Sequence, residues 1–431
     1  MSDGGGPIAL QAAEVAAGDV GPVGIAERVA ELDVLRGVAL FGVFLMNMIG
    51  LCSAGIMSTD AQLFALPTAA LDRVVTEIGF WLFSDKANSL FAFLFGMGFY
   101  LQMQRAEARG ADFARIYKRR LTVLLLFGLF HLYFIWTWDV LHLYAMAGFA
   151  LLALRRVDTR TLLIGGILLT LFDWRIPQEL LESAGLAEWH GFSSTYSEAA
   201  VLARQQVSAA GDYFGTVRAM ASYTLLDYVL SGSLAGWFVY ALGRFMLGAW
   251  VGRNGWLQHA QRHLPGFRRV MFIALPAGLL LAGFARIVEF GQRDAQLSPW
   301  DHWEIVERAV HAVSAPLLAT GYVCAVVVAL HTHRGRKLLA PFAYAGRMAL
   351  SNYVAQSFVY ALLLFGIGPG LALAGKIGSS VATLIVIVAY AAQVVLSRWW
   401  LARFRFGPLE WAWRGLTYGA WPRLRISPAL S

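Results

Sequence analysis

Charge is scarce in this chain: only 14% of its 431 residues are Asp, Glu, Lys or Arg, against about 25% in a soluble domain. At this length a water-soluble protein needs two or three domains, each with a polar surface, and the polar residues here are too few to cover one. Cysteine is rarer still. Cys52 and Cys324 lie far apart in separate apolar segments, form no CxxC pair and read as two buried free thiols. Several signatures are missing. There is no GxxxxGK[ST] loop, which excludes a P-loop motor. No HExxH or paired His/Cys spacing occurs, so no metal is expected, and there is no GxSxG elbow of a serine hydrolase. The apolar segments are continuous rather than alternating, which argues against strands.

Apolar residues are what the chain has in abundance, 58% of the total, with a mean hydropathy of +0.57. Runs of about 20 recur, the length a helix needs to cross a bilayer. The fold class is therefore all-α, a polytopic transmembrane bundle of about ten spans. The expected spans are Leu35–Cys52, Leu90–Met103 (reached through Ser84–Ser89), Leu121–Trp136, Val140–Leu154 and Thr161–Phe172. Tyr228–Val251, Val270–Phe284, Ala309–Leu330, Leu350–Ile367 and Val381–Trp399 follow. Residues 1–27 read as a disordered cytoplasmic tail, and 28–431 as one bundle. Within it, 173–222 reads as a periplasmic connection carrying amphipathic helices and 401–431 as a basic cytoplasmic tail. The net charge of +8 does not signal nucleic acid. Its basic residues cluster after the second, fourth, sixth and eighth spans and in the tail, all on one side if ten spans are counted. By the positive-inside rule that side is cytoplasmic and holds both termini.

Polar side chains inside such spans are costly and are candidates for function, or for helix–helix hydrogen bonds that hold the bundle together. Asp33 and Arg36 open the first span three residues apart, on one helix face, suited to an ion pair. Asn47 stands about 20 Å further along by helical rise. His131 lies deep in the third span, where a neutral imidazole is suited to proton exchange. Asp139 is eight residues on, about 12 Å along a straight helix, so it orients His131 only if the chain bends; His142 is the nearer partner. Trp136 and Trp138 fit an interfacial aromatic belt. In the ninth span Arg347/Ser351 and Asn352/Gln356 are spaced i,i+4 and read as one broad polar face, a site wall rather than packing glue. Gln393 and Arg244 are suited to face the same interior.

These segments resemble the YeiB family of bacterial inner-membrane proteins, whose C-terminal half is a domain of unknown function. The strings that carry the resemblance are LDVLRG (32–37), FGVFLMN (41–47), SLFAFLFGMG (89–98), YKRRL (117–121), GLFH (128–131), WDVLHLY (138–144) and GRMALSNYVAQ (346–356). They run from the first span to the ninth in family order. That family is in turn similar to integral-membrane acyltransferases, including the enzyme that acetylates heparan glucosamine. The resemblance implies transfer of an acyl group, acetyl foremost, from cytoplasmic acyl-CoA to a small-molecule or glycan acceptor at the periplasmic side of the inner membrane. It sets Asn47 at the position of an active-centre asparagine. The group's histidine shortly after that asparagine has no counterpart, because no histidine lies between Met48 and Phe130.

The expected roles follow. His131 is the base, with Asn47 and Asp139 completing the catalytic set. Asp33, Arg36, Arg119, Arg120 and Arg347 form the cytoplasmic mouth that meets the CoA phosphates. Ser351, Asn352, Gln356 and His142 bind the acceptor. The bilayer is the expected partner, and a homodimer is compatible with this reading. A transporter or flippase for a small envelope precursor, using the same polar track, is the alternative.

Overall fold

The computed structural model describes residues 29–186, 195–295 and 302–426; the expected tail 1–27 lies outside them. Among the described residues the protein is all-helical, with one isolated bridge between Phe404 and Arg425. In chain order the helices are α1 (Ala30–Leu51), α2 (Asp60–Phe64), α3 (Ala69–Phe83), α4 (Lys86–Ala108), α5 (Phe113–Phe134), α6 (Leu141–Ala153), α7 (Thr159–Leu171) and α8 (Ile176–Ser183). Next come α9 (Glu198–Ala209), α10 (Tyr213–Tyr223, continued by a π-helical turn, Thr224–Leu230), α11 (Ser233–Asn254), α12 (Ala260–Ala295) and α13 (His302–Leu330). The chain closes with α14 (His333–Leu339), α15 (Phe342–Arg347), α16 (Ala349–Leu364), α17 (Ser379–Leu401) and α18 (Pro408–Tyr418).

Five of these, α1, α11, α12, α13 and α17, are long and apolar enough to cross a membrane, and α6, α7 and α16 are shorter apolar helices. Their outward faces carry large exposed side chains, among them Phe272, Ile273 and Leu280 on α12 and Leu384, Val388 and Leu396 on α17. The interior meanwhile holds His131, Asp139, Arg244, Gln356 and Gln393. That is the inverse of a soluble protein and the arrangement hydrocarbon selects. Short polar connections start the helices. Asp112 accepts from Arg115 N at α5, and Asp158 from Arg160 N and Thr161 N at α7. Each supplies an acceptor to otherwise orphaned N–H groups.

Two features position the site. First, α1 and α15 touch through glycine. A Cβ on Gly37 would lie 2.1 Å from the Phe342 carbonyl oxygen, and one on Gly346 would lie 1.8 Å from that of Asp33. Only hydrogen fits there, and the close approach brings Arg36 and Arg347 to one mouth. Second, α5 ends at Phe134 and the chain doubles back, with Ile135 N and Trp136 N both donating to the His131 carbonyl. Helix α6 then packs on α5 so tightly that a Cβ on Gly128 would sit 2.2 Å from His142 N.

The connection near 173–222 does carry helices, α8 to α10. Helix α9 is tied across the connections that follow α1 and α16. Arg204 Nε donates to the Ile56 carbonyl at 3.2 Å, Gln205 Nε2 to that of Ala374 at 2.9 Å, and Gly366 N to that of Ser208 at 2.8 Å. Helix α3, which the hydropathy runs do not announce, lies against α1, α12 and α17. It is joined to α4 through Asp85, whose φ of 60° breaks the helix.

Candidate functional site

The bend after α5 resolves the spacing problem posed by Asp139. The carboxylate folds back onto the histidine eight residues before it, and Oδ1 accepts from His131 Nδ1 at 2.9 Å. Its other oxygen, Oδ2, accepts from both His142 Nδ1 and His142 N, each at 2.8 Å. One carboxylate therefore orients two imidazoles, and their far nitrogens point to hydroxyls. His131 Nε2 stands 2.9 Å from Ser357 Oγ on α16, and His142 Nε2 stands 3.1 Å from Tyr228 OH in the π-helical turn. His131, Asp139, His142 and Ser357 are all at most 5% exposed. The partners fix the tautomer: with Nδ1–H on the carboxylate, His131 Nε2 is left as an acceptor for the Ser357 hydroxyl. The chain Ser357–His131–Asp139 thus has the connectivity that makes a serine oxygen nucleophilic or an imidazole a general base.

A cavity of about 320 Å³ runs toward this cluster from the basic end of the bundle. Its mouth is set with Arg36, Arg105, Arg120, Arg347, Arg405 and Arg414, and its inner end with Asn88, Val140, Leu141, Tyr144 and Tyr353. On α4 alone it extends from Arg105 to Asn88, about 25 Å of helical rise. The inner end reaches the polar cluster through Tyr353; His131, Asp139, His142 and Ser357 lie behind the cavity wall. Val140 N donates to Tyr353 OH at 3.1 Å, and the Tyr353 ring lies 5.4 Å from that of His131. The mouth is basic and the middle apolar, with Phe91, Leu94 and Phe95 along α4. Helix α18 closes part of it. Trp413 stacks under the Arg120 guanidinium at 3.6 Å and donates from Nε1 to the Arg120 carbonyl, while Glu410 accepts from Leu350 N and Ser351 N at the start of α16. Arg347 Nε is buried without a hydrogen-bond partner among the described residues.

The sequence candidates fall into separate places. Asp33 and Arg36 form the expected ion pair at 3.0 Å and line the cavity with Arg120 and Arg347. Arg119 does not line it; that side chain is exposed, beside Gly419. Asn47 stays on α1 and does not line the cavity; Tyr360, one turn beyond Ser357 on α16, donates to the Phe44 carbonyl at 3.4 Å. The polar stripe of the ninth span is not one face, because the helix breaks at Met348, between α15 and α16. Arg347 turns to the cavity, and Ser351 donates to Glu410. Asn352 bonds Ser397, and Gln356 bonds Gln393, joining α16 to α17. Arg244 belongs to another cluster, bonded to Ser89 and stacked on Tyr240.

Sequence reasoning missed Ser357, Tyr228, Tyr353 and the cavity wall from 405–418. Ser357 carried one available signal: Tyr353, Ser357 and Tyr360, spaced i, i+4, i+7, form one helix face. Among the described residues, no group of three or more His, Cys, Asp or Glu is arranged to hold a metal ion.

Residues 251–420 match the family described as "Protein of unknown function (DUF418)". That segment contains Ser357, Arg347, Arg405 and Arg414; His131, Asp139 and His142 precede it. Over 411 residues, covering 92% of this chain and 95% of the relative, the sequence is 31% identical to the uncharacterized protein YxaH of Bacillus subtilis (strain 168). It is 27% identical over 421 residues to the uncharacterized protein YeiB of Escherichia coli (strain K12), covering 94% of this chain and 99% of that one.

Proposed function

This chain belongs to the family of YxaH and YeiB, and on that premise we propose that it is an integral-membrane acyltransferase that draws an acyl group, acetyl foremost, from acyl-CoA. The observation that carries this reading is the continuity of one cavity. It opens among six arginines and ends against the residues that hold the Ser357–His131–Asp139 chain. Phosphates of a coenzyme suit clustered guanidinium groups, which bind them in paired hydrogen bonds. Its extended thiol-terminated arm suits the apolar middle, and its thioester arrives beside Tyr353.

In this reading ten helices span the bacterial inner membrane: α1, α4–α7, α11–α13, α16 and α17. The arginine mouth and both termini face the cytoplasm, because the basic connections all fall on that side. The acceptor, a small envelope molecule or glycan, approaches from the face covered by α9 and α10. His131 Nε2 takes the acceptor proton while Asp139 stabilises the imidazolium that forms. The Asn47 amide is the group proposed to meet the developing oxyanion.

Calorimetry of acetyl-CoA binding to the detergent-purified protein tests this. Micromolar binding is expected, weakened tenfold or more by Arg120→Ala or Arg347→Ala and unchanged by Arg119→Ala, which lies off the cavity. Failure of the wild-type protein to bind acetyl-CoA removes the enzyme reading and favours the transporter.

A further inference from the structure

We propose that Ser357 is the nucleophile, and that the acyl group passes through a covalent acyl-serine before it reaches the acceptor. This rests on the acyltransferase reading but goes beyond it, since a base alone would transfer the group in one step. Three observations carry the inference.

The first is connectivity. Ser357 Oγ is 2.9 Å from His131 Nε2, whose Nδ1 is 2.9 Å from Asp139 Oδ1. The acceptor nitrogen of the imidazole is thus already engaged with a hydroxyl of the protein itself. A histidine serving only the acceptor would leave that nitrogen open to a cavity. The second is the anchoring of Asp139. The same carboxylate holds a second imidazole, His142, aimed at Tyr228 OH in the segment after α10. Ser357 is one turn along α16 from Tyr353, which lines the coenzyme cavity, while Tyr228 lies in the turn that continues the covering helix α10. Asp139 is thereby anchored by a second imidazole, while His131 Nε2, the nitrogen on Ser357 Oγ, relays the proton in both half-reactions. The third is enclosure. Ser357 is 1% exposed, and an acyl-serine persists only where water is kept from it.

The balance is simple. In the first half-reaction Ser357 Oγ forms a bond to the thioester carbonyl carbon and the C–S bond breaks. The hydroxyl proton passes to His131 Nε2 and on to the leaving thiolate, releasing CoA as the free thiol. In the second, the acceptor's oxygen or nitrogen attacks the ester carbon and the bond to Ser357 Oγ breaks. The acceptor's proton passes to His131 Nε2 and on to Ser357 Oγ, restoring the hydroxyl, with no other reactant needed.

The test is intact-protein and peptide mass spectrometry of the detergent-purified chain after incubation with acetyl-CoA and no acceptor, beside calorimetry of acetyl-CoA binding on the same samples. The expected result is one acetyl group on the peptide containing Ser357. It is absent from Ser357→Ala and His131→Ala, and appears as a hydroxylamine-labile thioester in Ser357→Cys. Release of CoA should fall at least about a thousand-fold in each of Ser357→Ala and His131→Ala, and hardly further in the double variant, because the two groups act as a unit. Normal acetyl-CoA binding with no protein-bound acetyl group, and CoA release surviving Ser357→Ala, would overturn the nucleophile while leaving the acyltransferase reading intact. No acetyl-CoA binding by the wild-type protein would overturn both.

Discussion

Replacing Asp139 by Asn probes the site through a single atom. Asp139 accepts three hydrogen bonds, one on Oδ1 from His131 and two on Oδ2 from His142. An asparagine keeps one acceptor oxygen and turns the other into an NH₂ donor. Setting the remaining oxygen at the Oδ2 position preserves two bonds and loses one; the opposite placement loses two. The NH₂ therefore faces His131, whose Nδ1 must become an acceptor, and the ring proton moves to Nε2. The imidazole then donates toward Ser357 instead of accepting from it, and the base is lost with its geometry intact. The same swap in a serine–histidine–aspartate system costs about 10⁴ in turnover, roughly 5.4 kcal/mol at 1.36 per tenfold. The Asp139 side chain lies outside the cavity wall, so acetyl-CoA affinity should not change. Release of the CoA thiol under saturating acetyl-CoA, with calorimetry on the same samples, is the assay. Thiol release by the Asp139→Asn protein that stays within tenfold of wild type would refute the tautomer assignment.

Two further substitutions test how the scaffold holds the site. Gly128→Ala forces a Cβ to 2.2 Å from His142 N, and the helices must part to admit it. A loss of about 1–3 kcal/mol is expected from such overpacking, with reduced turnover, and a thermal-unfolding midpoint equal to wild type would contradict the packing. Asn352→Leu removes the bonds to Ser397 Oγ and the Ala345 carbonyl and should cost roughly 0.5–2 kcal/mol without altering acetyl-CoA affinity. A tenfold change in affinity at undiminished stability would instead put Asn352 in the site.

Much of the bundle was legible because hydropathy is read one helix at a time. Nine of the ten expected spans fall largely on one helix each, from Leu35–Cys52 on α1 to Val381–Trp399 within α17, whereas Tyr228–Val251 starts in the π-helical turn and crosses the break at Gly232 before α11. Helix α3 was not legible, because Asp72, Arg73 and Glu77 interrupt its apolar positions. The Asp33–Arg36 pair could be read from spacing, since it depends on one helix. The His131–Asp139 contact could not, because it depends on a reversal after Phe134 that propensity does not announce. The polar stripe from Arg347 to Gln356 shows the converse. An i,i+4 pattern assumes an unbroken helix, and the break at Met348 sends Arg347 into the cavity while Asn352 and Gln356 turn to α17. The basic segment 401–431 was read for its charge alone. Its wall-forming role comes from Trp413 and Glu410, which dock α18 against α5 and α16.

At the centre of the proposed function, the arginine cavity and the buried serine–histidine–aspartate chain are two ends of one acyl-CoA site. A cryo-electron microscopy structure with a non-hydrolysable acetyl-CoA analogue tests this most directly. The prediction is density for the phosphates among Arg120, Arg347, Arg405 and Arg414, with the acetyl carbonyl beside Tyr353, toward Ser357 and His131. An empty cavity, or an analogue bound with its acetyl end away from Tyr353, would contradict it.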